Sequence, residues 1–234
     1  MKVLLDADGV LLDSHSYFLY RVNERYADII AKNLKRPLTL EDITNWDFGL
    51  ALEIIGIPII KRKDSEPLGA IDYIHEAYTQ TEYCISLVDP SVARVTNYLF
   101  NTFEVEIVTS NHEPNGLKIV LDSHGINTTK FRQDAKNVTS QYTVVVEDNP
   151  NICIDDKQTL LLRDRPWNRD LEAPNVLRFY HSLQLPGILR LLDTYGDLEA
   201  IAKAISLGKA DLLCKSNIET YGFKLLKNRC IKYK

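Results

Sequence analysis

The chain has 234 residues, 45% apolar and 26% charged, with a formal net charge of −4. That length suits one large domain, or a core with a smaller unit, and the mixture excludes wholesale disorder, a collagen-like rod and a disulfide-held miniprotein. The acidic balance argues against a globally basic nucleic-acid binder.

Val3, Leu4 and Leu5 form a short apolar run ending at Asp6, which reads as a buried strand feeding a loop at Gly9. Residues 16 to 33 carry Phe18, Leu19, Val22, Tyr26, Ile29 and Ile30 at helical spacing. Leu38 to Leu52 is a second helical candidate, with Thr39 as cap and Asp42 as its third residue. Gly56, Pro58 and Pro67 break the chain, and a short helix is expected near Ala70 to Tyr78. Residues 14–84 therefore read as a helical insertion between the first strand and the next strong unit.

Asp89-Pro90 is expected to open a helix bearing Val92, Val95 and Leu99. Glu104 to Thr109 switches to strand character, Pro114 to His124 to a helix closed by Gly125, and Tyr142 to Val146 to another strand. Thr159 to Leu162 is the last clear strand. Beyond residue 175 the pattern reads as helical, through Leu185, Ile188, Leu189 and Leu192 and then Leu198, Ile201, Ala202 and Ile205. Ser216 and Glu219 fit a capping box for a final helix, weakened by Gly222.

Short apolar strands alternating with helices predict an α/β fold, a Rossmann-like parallel sheet covered on both faces. The expected organisation is a core of residues 1–13 and 85–174, a cap of residues 14–84, and a helical extension of residues 175–234. Polar groups stand at three strand ends: Asp6 and Asp8, Thr109 and Ser110, Glu147 and Asp148. Ligands of open α/β sheets gather at such ends.

Cys84, Cys153, Cys214 and Cys230 are scattered and form no CxxC, so free thiols in a reducing compartment are expected. The start of the chain lacks the apolar stretch of a signal peptide and no run of 18 apolar residues exists; cytoplasmic residence is the default expectation, without a membrane partner. Residues 203–234 carry eight Lys or Arg against two Asp or Glu. This basic segment offers a contact for nucleic acid; a solvated surface, or a face docked on the acidic core, is the plainer reading.

The run Asp6-Ala7-Asp8-Gly9-Val10-Leu11 resembles the first motif of haloacid dehalogenase-like phosphatases. Val108-Thr109-Ser110 resembles their second, Lys136 their third and Glu147-Asp148 their fourth. Three stretches look closer to the 5'(3')-deoxyribonucleotidases within that superfamily: Ile107 to Ser110, Val145 to Pro150, and Leu162-Arg163-Asp164-Arg165-Pro166-Trp167-Asn168-Arg169. The resemblance implies a haloacid dehalogenase-type core with a small helical cap inserted after the first strand. It implies Mg2+-dependent removal of phosphate from nucleoside monophosphates, commonly deoxyribonucleotides.

On that reading Asp6 is the nucleophile, and Asp8 protonates the leaving oxygen and then activates water. Thr109, the Ser110 amide and Lys136 hold phosphate, while Asp6, the Asp8 carbonyl, Glu147 and Asp148 hold Mg2+. Tyr17, Trp46 and Phe48 are candidate base contacts, with packing inside the cap as the plainer role for each. Arg163, Arg165 and Asn168 would shape the neighbouring loop, Trp167 would anchor it, and His15 and His112 lie near the motif ends.

Read one at a time, these residues have other uses. Asp6 and Asp8 suit capping of the following turn, and Lys130 competes with Lys136. Two positions depart from the closer family: Glu147 where an aspartate is usual, and Ser14 where an aromatic residue is frequent. A sugar-phosphate or nucleic-acid-end phosphatase, or a noncatalytic binding module on the same core, therefore stands beside the nucleotidase reading.

Overall fold

The computed structural model describes residues 1–57, 78–79, 85–134 and 139–206, with side chains to residue 204. Lys2–Leu5 (β1), Glu104–Thr109 (β2), Phe131–Gln133 (β3), Val144–Glu147 (β4), Thr159–Arg163 (β5) and Val176–Phe179 (β6) form one sheet ordered β3-β2-β1-β4-β5-β6. Every neighbouring pair runs parallel. This is a Rossmann-like parallel sheet. Its order reverses between β1 and β4, where such sheets open a crevice at their carboxyl ends.

β1, β4 and β5 read as near-continuous apolar runs because both sheet faces are buried there. Val3, Leu5, Ile107, Val144, Val146 and Leu161 enter one cluster, while Leu4, Val108, Val145, Leu160 and Leu162 enter another. The period-two alternation sends neighbours to opposite faces. The two faces are covered differently. Helices Val92–Thr102 (α4), Pro114–Ser123 (α5), Leu185–Tyr195 (α6) and Leu198–Ser206 (α7) place Val95, Leu99, Leu117, Leu121, Leu189 and Ile201 in the first cluster. The second face is packed by Ile152, Ile154, Leu171 and Ala173 from irregular chain.

Between β1 and α4 the chain makes a long excursion, most of it helical where described. Ser14–Arg25 (α1), Ala27–Leu34 (α2) and Phe48–Ile54 (α3) supply a third cluster built on Phe18, Val22, Ile30, Phe48 and Leu52. Trp167, from the loop after β5, completes it. The chain leaves and returns through one short antiparallel contact. Leu12 bridges Leu87, the Asp13 amide donates to the Ser86 carbonyl at 2.8 Å, and the Val88 amide donates to the Leu11 carbonyl at 3.0 Å.

Several expectations change. The helix expected over 16–33 starts earlier and divides at Tyr26, whose φ of −117° and ψ of 28° leave the helical region. Asp13 caps its beginning, accepting from the Ser16 amide and hydroxyl. The helix expected over Leu38 to Leu52 is instead a 3-10 turn, Leu40–Asp42, followed by α3. Asn45 accepts from the Asp47 amide at 2.8 Å, making a local turn, and Asp47 then accepts from the Leu50 amide at 3.2 Å to start α3 afresh.

Asp89 does not cap α4, which begins at Val92. Its carboxylate accepts from the Ser91 and Ser182 hydroxyls at 2.6 Å each, and lies 3.5 Å from the Arg163 guanidinium. It thus fastens the approach to α4 to the chain after β6. The core does not stop at residue 174. β6 lies inside the segment expected as a helical extension and pairs with β5 from Leu160↔Val176 to Arg163↔Phe179. The helix expected near Ala70 to Tyr78 is described only at Tyr78 and Thr79, and Ser216, Glu219 and most of the basic segment lie outside the described residues. No described helix is long and apolar enough to cross a membrane.

The Thr39–Asp42 capping box does form: the Thr39 amide and hydroxyl both donate to Asp42 at 2.8 Å. Arg36 adds a two-pronged contact at 2.6 and 2.7 Å, and its hydrogen bond is the main reason the Asp42 carboxyl is pulled down to about 2. A folded-state value below the ordinary one stabilises the fold above about pH 4, and that contribution disappears as pH falls toward 2. With Arg36 half exposed, solvent screening leaves about 1 kcal/mol. Thermal melts of Asp42→Asn should show a deficit of that size at pH 7 that narrows between pH 4 and 2. A deficit constant with pH would assign the effect to packing instead.

Candidate active site

The end of β1 supplies two acids through a tight turn. Asp6 is 2% exposed, and its amide donates to the Val146 carbonyl at 3.0 Å, carrying the β1–β4 pairing one residue further. The Leu11 and Leu12 amides both return to the Ala7 carbonyl at 2.9 Å, so the chain reverses immediately. Gly9 makes this possible. Its φ is +73°, and a Cβ there would overlap the Asp148 carboxylate and stand 2.7 Å from the His15 ring. The Arg165 guanidinium donates to the Gly9 carbonyl and braces the turn from the loop after β5.

β4 brings the second pair of acids. Glu147 and Asp148 are both buried, and Asp6, Glu147 and Asp148 each place one carboxylate oxygen within 4.8 Å of the others. Glu147 fits where the resemblance expects the shorter aspartate because its Oε1 turns back onto the Asp148 and Asn149 amides, at 3.2 Å each. The extra methylene is taken up by that curl. Asp148 is held from behind: its carbonyl accepts from Trp167 Nε1 at 3.1 Å and Asn168 Nδ2 at 2.9 Å. Asn168 is in turn fixed by Arg178, which donates to both its side-chain oxygen and its carbonyl.

β2 ends beside these acids. Thr109 is buried and accepts from the Asn111 amide at 3.0 Å, while Ser110 is exposed. Asp8 faces the same space, and Asn111 Nδ2 donates to its Oδ2 at 2.9 Å. Tyr78 donates its phenol to the other oxygen of Asp8.

A cavity of about 570 Å³ joins these groups. Asp6, Asp8, Thr109, Ser110 and Asp148 line it, together with His15, Trp46 and Phe48. The rings form a packed cluster: Phe48 lies 5.3 Å from His15 and 5.0 Å from Trp167, and Trp46 lies 6.0 Å from Trp167. Burial, and then the nearby charge of Arg165, pull the His15 pKa down to about 3. His15 is therefore a neutral ring at neutral pH, and its 4.0 Å approach to Asp148 is not an ion pair.

The structure thus brings together Asp6, Asp8, Thr109, Ser110, Glu147, Asp148, Trp46 and Phe48. Tyr17 packs against the main core cluster and does not line the cavity. Of the two roles expected of it, packing is the one its surroundings match. Lys136 lies outside the described residues. Trp167 is the expected anchor, and it also grips the Asp148 carbonyl. Asn111 and Tyr78 were not singled out from the sequence. Asn111 stands two residues beyond Thr109, a spacing that puts it on the same strand-end loop, whereas nothing local marks Tyr78, 70 residues from Asp8.

No family model matches the chain, and no curated protein matches it. Among solved structures, it is similar to YfnB from Bacillus subtilis, described as a HAD-hydrolase and crystallised bound to magnesium. Identity is 15% and the TM-score 0.45, over 80% of this chain and 97% of that one.

Proposed function

We propose that the protein is a Mg2+-dependent phosphomonoesterase of the haloacid dehalogenase type, acting on nucleoside monophosphates and preferring deoxyribonucleotides. One observation carries the reading: acids from two adjacent strand ends and a hydroxyl from a third meet at one cavity that Trp46 and Phe48 also line.

The donor set suits a hard divalent cation. Asp6, Glu147 and Asp148 offer three buried carboxylates and only oxygen, and like charges this close are unfavourable in a poorly solvated site without positive charge nearby. These three would hold Mg2+, which when bound offsets the negative charge of the phosphate oxygens.

The chain's own residues account for the covalent steps. An Asp6 oxygen attacks phosphorus, forming an aspartyl-phosphate as the bond to the leaving oxygen breaks. Asp8 gives its proton to that oxygen, so the product leaves as a neutral alcohol. Asp8 then takes a proton from water as the water oxygen attacks phosphorus, releasing inorganic phosphate and restoring Asp6. General acid–base help of this kind is worth about 10²–10⁴-fold. The Thr109 hydroxyl and the Ser110 amide would donate to phosphate oxygens. Trp46, which lines the cavity, offers a planar face for a nucleobase.

The test is a phosphate-release screen with Mg2+ over nucleoside monophosphates, sugar phosphates and end-phosphorylated oligonucleotides. Turnover should be highest on deoxyribonucleoside monophosphates and abolished by a chelator. Preference for sugar phosphates or oligonucleotide ends would reject the nucleotide assignment, and release unaffected by chelation would reject the metal.

A further inference from the structure

Asp8 is held more tightly than a flexible proton carrier needs to be. Both of its carboxylate oxygens are engaged, by donors from unrelated parts of the chain: Asn111 from the loop after β2, and Tyr78 from the returning end of the excursion. We propose that Tyr78 and Asn111 are positioning residues for Asp8, fixing the direction in which its carboxyl faces the leaving oxygen. This rests on the phosphomonoesterase reading and deepens it.

Each donor is itself built in. Asn111 turns its own Oδ1 onto the Glu113 amide at 2.8 Å, which leaves Nδ2 aimed at Asp8. Its carbonyl accepts from Gln133 Nε2 at 2.9 Å, so the end of β3 steadies it as well. Tyr78 is seated on α5 at Gly116. A Cβ on Gly116 would overlap the Tyr78 carbonyl oxygen and stand 2.9 Å from its carbonyl carbon. A glycine inside a helix costs about 1 kcal/mol against alanine. Here it lets the tyrosine backbone lie directly on the helix.

With one donor on each oxygen, the carboxyl is held against rotation about its own bond. Losing either donor frees that rotation. Such a loss matters most where the leaving oxygen needs a proton, because misplacement of a reacting group weakens the step it assists.

The experiment compares full-length wild type, Tyr78→Phe and Asn111→Ala with Mg2+ on two monoesters: a nucleoside monophosphate, whose leaving alkoxide needs protonation, and p-nitrophenyl phosphate, whose leaving phenolate does not. Each variant should slow leaving-group release in a single turnover at saturating enzyme by about tenfold or more on the nucleotide and little on the aryl ester; this reads aspartyl-phosphate formation and excludes the later hydrolysis, common to both esters, in which Asp8 acts as base. Gly116→Ala, which leaves both donors in the sequence and displaces one, should reproduce the Tyr78→Phe pattern. It also keeps the question open to test if Tyr78→Phe folds poorly. Equal losses in that single-turnover rate on both esters, a change confined to binding, or an unchanged rate on the nucleotide would overturn the positioning role while leaving the phosphatase reading intact. A wild-type chain that released phosphate from no ester would overturn both.

Discussion

Asp6→Asn should reduce phosphate release by about 10³-fold or more, because an amide oxygen with little change in volume is no longer a competent nucleophile. The same substitution should not weaken the fold. It removes one of three carboxylates that crowd within 4.8 Å, relieving like-charge repulsion where burial limits screening. Without Mg2+, the variant should therefore melt at the wild-type temperature or above it. The combination of lost turnover and preserved stability separates a chemical role from a structural one. Near-normal turnover would reject the aspartyl-phosphate mechanism.

Gly9→Ala is expected to act in the opposite way, through the frame that holds the acids. The φ of +73° is unfavourable for any residue with a Cβ, and the added atom would intrude on Asp148 and His15. Asp148 has little room to yield, since Trp167 and Asn168 hold its carbonyl. A strained backbone position costs about 1–3 kcal/mol, or several degrees in Tm for a chain of this size. Displacement of Asp148 should also abolish the rise in Tm expected of wild type on adding Mg2+. Turnover should fall by about 10²-fold. An alanine variant with wild-type stability and metal response would show that the close approach of Gly9 to Asp148 is dispensable.

The strands that position the acids were legible because burial on both faces makes them unbroken apolar runs. Val3 to Leu5 and Tyr142 to Val146 could be read without knowing their partners. β3 and β6 could not. Phe131-Arg132-Gln133 is three residues long with two polar side chains, and β6 carries Arg178. That arginine is tolerated because Asn168 and neighbouring carbonyls receive its guanidinium, a compensation between loops that no local pattern encodes. The helix breaks at Tyr26 and at residues 45–47 arise from backbone and side-chain turns that interrupt a continuing apolar stripe. In the site, acids and a hydroxyl at strand ends announced themselves. Their supports did not: the Tyr78 contact spans 70 residues and the Trp167 contact 19. Tyr17, also close to a motif in sequence, packs against the main core cluster, and helical spacing alone does not separate that role from one at the cavity.

The two-rung contact between Leu11–Asp13 and Ser86–Val88 has a consequence for how this molecule can diversify. Adjacent strands lie about 5 Å apart, so the excursion departs and rejoins at nearly the same point. Its length can therefore change without moving the ends it joins. Its content is less free, because Tyr78 within it donates to Asp8 and Trp167, from the loop after β5, packs into its cluster. A descendant could trim or enlarge the stretch between those fixed points while the acids at the ends of β1 and β4 stay where they are.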